Sequence, residues 1–208
     1  DLRRVSEYVK DLYPDLPLYL IAHSMGTLVT RVYLKKYDYI PSGVFLCGAP
    51  SSDNSTGVIT PVLDKYAKLR GDHYKDQLIN DLFVGIFDFV FKDENQKSAW
   101  ICSDKNVVDE FVNDPLCGFP LTVQGYIDLG TLLYAINTDQ WYRRVPKDLP
   151  ILLISGENDP VGDMGKGVRR VFDKLNKTGH DVKLTLYPRI RHALITEMNS
   201  AQVYEDLY

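Results

Sequence analysis

Four short, mostly apolar runs, each followed by a helical pattern, constrain the fold more than any other feature of this chain. The runs are Leu18–Ala22, Val44–Cys47, Ile151–Ile154 and Val182–Tyr187. Unbroken apolar runs of this length favour strands that are buried on both faces, as in a parallel sheet. Alternation of such runs with helices predicts an α/β fold with a mostly parallel sheet.

The helices are predicted from apolar residues that recur every three or four positions. The first stripe consists of Leu2, Val5, Val9 and Leu12. Further helices are expected over 27–37, over 164–175 with Gly179 as the C-cap, and from Ala193 to the end of the chain.

Between residues 53 and 145 the alternation stops and helical stripes take its place. One stripe consists of Leu78, Leu82, Phe83, Ile86, Phe87 and Val90. The sequence therefore predicts two parts: a core formed by residues 1–52 and 146–208, and a helical cap inserted over 53–145.

Composition excludes several classes of protein. The 208 residues are 45% hydrophobic and 25% charged, as in soluble globular domains. No run of ~18 apolar residues predicts a membrane span, and a net charge of −4 argues against nucleic acid as the main partner. Three scattered cysteines predict neither a disulfide framework nor a zinc site, which makes a reducing cytoplasm the expected compartment.

The stretch Ala22–Gly26 carries the sharpest chemical signal. Ser24 lies between a predicted buried strand and a predicted helix, with small residues two positions before and after it. This is the pattern of a nucleophile elbow, a tight turn that raises the serine above the sheet at a helix N-terminus. The usual first glycine is replaced by Ala22, and the alternative interpretation is a serine that only caps a helix.

A nucleophilic serine needs a base and a group that orients the base. Asp159 follows the third predicted strand and His192 follows the fourth, in the order serine, acid, histidine. Because the carboxyl ends of parallel strands share one edge of the sheet, the three side chains are expected to converge there.

Other candidates for the base and the acid are weaker. His23 is fixed in the elbow and is expected to point elsewhere, and His180 precedes the last strand, at the opposite edge of the sheet. His73 lies in the helical insertion, without a strand to place it. Asp163 is expected to begin and cap the following helix.

The chain resembles the α/β-hydrolases, in particular the monoacylglycerol lipase and lysophospholipase branch of the serine hydrolases. The resemblance is carried by Leu20–Gly26, Ile154–Gly162 and Tyr187–His192, and within the insertion by Asn113–Phe119. It implies acyl transfer through an acyl-enzyme on Ser24, without a metal or an organic cofactor. It also implies that the backbone N–H of Met25 is one oxyanion donor.

Relatives of this type begin with further strands, and a loop after the third strand supplies a second oxyanion donor. The present chain would then be the C-terminal two-thirds of a larger hydrolase, with Leu18–Ala22 as an uncovered edge strand. An uncovered apolar edge favours pairing with another chain. We therefore expect little activity from the 208 residues alone, and expect that the chain either self-associates through this edge or was cut from a larger protein.

The substrate is expected to be a small lipid-like ester, either a monoacylglycerol or a lysophospholipid. Phe83 and Phe87 are candidate residues for lining an acyl-chain tunnel, although packing of the cap is an equal alternative. Residues 53–145 hold 14 acidic and nine basic residues, which gives no attraction to anionic headgroups. Thioesterase or peptidase activity on the same fold, and a non-catalytic ligand-binding module, remain the alternatives.

Overall fold

The computed structural model describes residues 1–37, 41–50 and 56–208. Its strands are β1 (Tyr19–His23), β2 (Gly43–Cys47), β3 (Ile151–Gly156) and β4 (Val182–Tyr187). The strands pair in chain order, β1-β2-β3-β4, and all three pairings are parallel. The predicted α/β fold with a parallel sheet is confirmed.

Helices surround the sheet and fill the long connection between β2 and β3. The α-helices are α1 (Leu2–Leu12), α2 (Met25–Lys36), α3 (Thr56–Arg70), α4 (Gln77–Asn80), α5 (Ile86–Val90), α6 (Lys105–Asn113), α7 (Val123–Ile136), α8 (Asp139–Arg144), α9 (Lys166–Lys177) and α10 (Ala201–Leu207). A π-turn at Asp81–Gly85 joins α4 to α5, and 3₁₀ turns lie at Lys92–Glu94 and Leu194–Thr196. Side-chain caps mark several starts: Asp76, Asp104 and Thr122 each accept a backbone N–H bond in the first turn that follows.

The apolar core lies on both faces of the sheet. On one face, Leu46 and Leu153 of the strands pack with Leu28 of α2 and with Val168 and Leu175 of α9, and all five are fully buried. A second cluster of buried residues covers the other face and consists of Cys47, Ile154, Tyr187, Ile190, Leu194 and Val203. Burial on both faces explains why the strand runs are so apolar.

The helices inserted between β2 and β3 do not all lie apart from this core. α3 packs against α7, whereas α7 and α8 also contact α2. Trp141 of α8 is fully buried, and its indole N–H donates to the carbonyl of Arg31 at 2.6 Å. The predicted boundary between residues 52 and 53 lies outside the described residues, so the two-part division stays a prediction.

Two expectations about helices are corrected by the structure. The C-terminal segment is not one helix from Ala193, because Glu197 turns inward to accept hydrogen bonds from Ser103 and Arg191, and α10 begins only at Ala201. The stripe of α1 forms a helix as predicted, but Val5 is 58% exposed.

The segment 77–90 is helical as predicted, yet much of its apolar stripe faces solvent. Leu78 is 78% exposed and Leu82 and Ile86 are each 58% exposed. Among the described residues, no helix combines the length and apolar character needed to cross a bilayer.

Candidate active site

Ser24 occupies the sharp turn between β1 and α2. Its backbone has φ 52° and ψ −122°, a conformation that a residue with a side chain adopts rarely, at a cost of about 1–3 kcal/mol. The Ser24 N–H donates to the carbonyl of Cys47 at 3.0 Å, which ties the turn to β2. The turn has room for the methyl group of Ala22, because even a Cβ placed on Gly26 would lie 4.0 Å from that methyl group. The local geometry is that of a nucleophile elbow.

The structure brings together the three side chains that the sequence singled out. His192 Nε2 lies 2.8 Å from Ser24 Oγ, and His192 Nδ1 lies 3.0 Å from Asp159 Oδ2. In the tautomer that activates a serine, Nδ1–H donates to the carboxylate and Nε2 accepts the serine proton. The three residues therefore form a continuous hydrogen-bonded line.

Asp159 is fixed within the loop that follows β3. It is fully buried, and Oδ1 accepts the Val161 N–H at 2.9 Å while Oδ2 accepts the Ser155 hydroxyl at 3.4 Å. These bonds leave Oδ2 directed at His192, whose Nδ1 lies within hydrogen-bonding distance of it.

Two glycines, which the sequence pattern does not single out, allow the histidine loop to approach the strand ends. A Cβ on Gly156 would lie 2.0 Å from the carbonyl oxygen of Ile190, so only glycine fits there. Gly48, at φ 57°, would bring a Cβ within 3.3 Å of the His192 ring. Their effect appears only when loops distant in the chain are packed together.

The remaining predicted groups are placed as follows. Met25 is the first residue of α2, so its backbone N–H is one of the unpaired donors of a helix N-terminus, beside Ser24.

Phe83 packs on Tyr126, with ring centroids 5.0 Å apart, inside a cluster of inserted-helix residues. Phe87 instead packs on Trp100 at 5.2 Å, and Trp100 packs on His192 at 5.3 Å. Trp100 is a neighbour of the site that sequence reasoning missed.

His23 lies closer to the site than expected. Its Nε2 is 3.0 Å from the carbonyl oxygen of His192, and the two rings are 4.8 Å apart. Desolvation lowers the pKa of His23, and the nearby His192 lowers it further, against the raising effects of the bond to the His192 carbonyl and of Asp159. The hydrogen bond from His23 Nε2 to the His192 carbonyl supports the histidine loop.

The competing residues do not reach Ser24. His180 is buried, with its ring nitrogens on the carbonyls of Leu175 and Val145, and His73 is exposed. Asp163 does not cap α9, whose N-cap is Gly165; its carboxylate accepts from Arg170 at 2.9 Å instead. Across residues 1–37, 41–50 and 56–208, no group of three or more His, Cys, Asp or Glu side chains is placed to hold a metal ion.

The parallel sheet, its helices and the sharp turn at Ser24 define an α/β-hydrolase fold. The profile of the serine aminopeptidase S33 hydrolases matches residues 1–199. The chain belongs to this family.

Named relatives are similar in sequence and in fold. A monoacylglycerol lipase of Mycolicibacterium smegmatis (strain ATCC 700084 / mc(2)155) is 26% identical over 216 residues, which cover 99% of this chain and 69% of the relative. A thermostable carboxyl esterase from Bacillus coagulans, solved with glycerol, superposes with a TM-score of 0.89 at 28% identity over 100% of this chain. A lipase in its open form gives a TM-score of 0.83 at 28% identity over 94% of the chain. The chain spans 66% and 64% of these two solved chains.

Proposed function

We propose that this chain carries the catalytic triad of a carboxylic ester hydrolase that acts on small lipid-like monoesters. The observation that carries the proposal is the line Ser24–His192–Asp159, with links of 2.8 and 3.0 Å. A serine raised on an elbow, a histidine within reach of its hydroxyl and a buried carboxylate behind the histidine are the parts that acyl transfer needs.

The proposed reaction has two steps. Ser24 Oγ attacks the ester carbonyl while His192 Nε2 takes the hydroxyl proton, and His192 then gives that proton to the departing alcohol. Water, deprotonated by the same nitrogen, hydrolyses the acyl-enzyme and regenerates Ser24. The N–H of Met25 donates to the oxyanion that forms in each step. No cofactor takes part in this scheme.

Monoacylglycerols are the proposed substrate class, with lysophospholipids as the second candidate. The name of the Mycolicibacterium relative and the glycerol bound to the Bacillus esterase support an ester of glycerol. The aromatic row Phe87–Trp100–His192 supports an apolar acyl group beside the catalytic histidine. Phe83 packs within the inserted helices, which favours the packing role that the sequence left open for it.

The family name raises aminopeptidase activity as a competing function. An aminopeptidase has to hold the cationic amino terminus of its substrate, and within residues 1–37, 41–50 and 56–208 we assign no carboxylate beside Ser24 to that task. The three cysteines are unpaired, which supports a reducing compartment such as the cytoplasm.

A labelling and turnover experiment tests the proposal. The full-length protein should react covalently with a fluorophosphonate, and Ser24→Ala should abolish the reaction while His73→Ala retains it. Turnover should then be compared on monoacylglycerols, lysophospholipids, acyl thioesters and aminoacyl arylamides. Preference for the thioester or the arylamide would replace the ester assignment, and an unlabelled folded protein would favour a non-catalytic binding module.

A further inference from the structure

A segment of the inserted helices runs beside the loop that carries His192. The His192 N–H donates to the carbonyl of Trp100 at 3.4 Å, and the Ala193 N–H donates to the carbonyl of Ile101 at 2.8 Å. The backbone around the proposed catalytic histidine is therefore held by residues that lie about ninety positions earlier in the chain.

Arg191, directly before His192, ties the two segments together with its side chain. Both of its terminal nitrogens donate to the carboxylate of Glu94, Nη1 to Oε2 at 3.1 Å and Nη2 to Oε1. Nη1 also reaches the carbonyls of Ala99 at 2.6 Å and Cys102 at 3.2 Å. The Arg191 side chain is 10% exposed and the Glu94 side chain is 32% exposed, so the arginine end of this fork-to-fork pair is shielded while the carboxylate is partly open to water.

A second carboxylate fastens the same two segments. Glu197 is 4% exposed, and its Oε1 accepts the Arg191 N–H at 2.9 Å and the Ser103 N–H at 3.0 Å. Its Oε2 accepts the Ser103 hydroxyl. The loop is thus bound to residues 94–103 on both sides of Arg191, through its side chain and through its backbone.

We infer that Arg191, Glu94 and Glu197 are positioning residues, which fasten the 94–103 segment to the His192 loop and thereby hold His192 at Ser24. The inference rests on the proposed function, because it concerns how the base of that reaction is aimed. The three residues touch no reacting atom.

The physical case is that the loop has little support of its own. Residues 188–193 lie in turns and irregular backbone, and His192 is joined to the sheet edge through Asp159 and the bond to His23. Burying an ion pair stabilises a fold weakly, since desolvation offsets the attraction, but it fixes geometry. A shift of the base by about 1 Å can lower turnover by about 100-fold.

Conservative variants of the full-length protein test the inference. Arg191→Lys keeps the charge but loses the planar fork, and Glu94→Gln keeps the shape but loses the charge. Each should lower kcat by about 10- to 100-fold with KM within about twofold, and should slow fluorophosphonate labelling of Ser24 in proportion. The matched controls are Arg3→Lys and Glu7→Gln, in an exposed arginine–glutamate pair on α1.

The same variants distinguish positioning from stability alone. A lowered melting temperature with unchanged kcat, measured on folded protein, would overturn the inference. A raised KM with unchanged kcat would also overturn it, because it would assign the residues to substrate binding.

A spectroscopic measurement separates this inference from the proposed function. The proton between His192 Nδ1 and Asp159 should give a far-downfield proton resonance, assigned by its loss in His192→Ala. In Arg191→Lys and Glu94→Gln the resonance should shift or broaden, whereas the α1 controls leave it in place. A wild type that neither hydrolyses esters nor reacts with the fluorophosphonate would contradict the proposed function. A resonance that shifts in the two variants would still support the positioning role of Arg191 and Glu94. A resonance that does not shift would overturn that role.

Discussion

The two halves of the site differ in how they are covered. The acid–base half, on the loops after β3 and β4, is buried: Asp159 is 0% exposed and His192 is 5% exposed. The serine half, on β1 and α2, lies at the margin of the sheet, where Ile21 is 63% exposed and Met25 is 52% exposed. Hydrogen bonds between Ser24 Oγ and His192 Nε2 and between His23 Nε2 and the His192 carbonyl join the two halves.

The difference shows that an apolar sequence pattern predicts which face of a strand or helix is apolar, but does not predict which segment packs on that face. The apolar runs of β1 and β3 are similar. However, β3 pairs with a strand on each side, whereas within the described residues β1 pairs with β2 alone. The helices repeat the lesson: Val168 of α9 is fully buried, while Val5 of α1 is 58% exposed. Burial therefore depends on which segments pack on a strand or a helix, and those contacts join distant parts of the chain.

We expect the largest loss of kcat when the Ser24 or the His192 side chain is removed, one from each half of the site. Ser24→Ala and His192→Ala in the full-length protein should each lower kcat by about 10⁴-fold or more, because the two side chains act as one unit. The double variant should be no worse than either single variant. His180→Ala, which removes a buried imidazole on the far side of the sheet, should lower stability but leave turnover per folded molecule close to that of the wild type.

Steady-state kinetics on a short-chain monoacylglycerol, with the folded fraction measured by circular dichroism, checks this prediction. Losses that add in the double variant would contradict a shared proton transfer. A His180→Ala variant that is folded but inactive would move the base away from His192.

The second prediction compares stability in the two halves. Leu153→Ala on β3 removes a fully buried side chain and should lower the free energy of unfolding by about 2–5 kcal/mol. Ile21→Ala on β1 removes a side chain that is 63% exposed and should cost less than about 1 kcal/mol. Urea unfolding of the 208-residue chain measures both. A loss for Ile21→Ala as large as that for Leu153→Ala, measured at a concentration where the chain is monomeric, would contradict the exposure of Ile21.

The third prediction concerns the side of β1 on which the described residues place no paired strand, because an uncovered strand edge favours pairing with another chain. We predict that the 208-residue chain self-associates through this edge, and that Ile21→Lys shifts its sedimentation toward the monomer. The matched variant is Ile86→Lys, which adds the same charge at an isoleucine that is 58% exposed on α5. If Ile86→Lys dissociates the chain and Ile21→Lys does not, association occurs through the apolar face of 77–90.

Much of the fold could be predicted because its signals are local. The four strands were found to within two residues of their observed ends, and Ser24, Asp159 and His192 were proposed from their places at strand ends. The contacts that complete the site are not local: Gly156 meets the carbonyl of Ile190, and the Trp100 ring meets His192. Such contacts leave no periodicity in the sequence, and they emerge only from packing.

The smallest effect is expected at His23, whose hydrogen bond to the His192 carbonyl joins the two halves outside the line Ser24–His192–Asp159. Desolvation of the ring lowers the pKa of His23, although the residue is exposed at the end of β1, so the folded chain takes up this proton at a lower pH than the unfolded chain, whose ordinary pKa is about 6.5. The unfolded state therefore binds more protons, and stability is lost as pH falls below that value. His23→Gln should reduce the loss of unfolding free energy between pH 7.5 and pH 5.5, as measured by urea unfolding. His73→Gln is the control for removing one exposed imidazole, and an equal change there would contradict the assignment to His23.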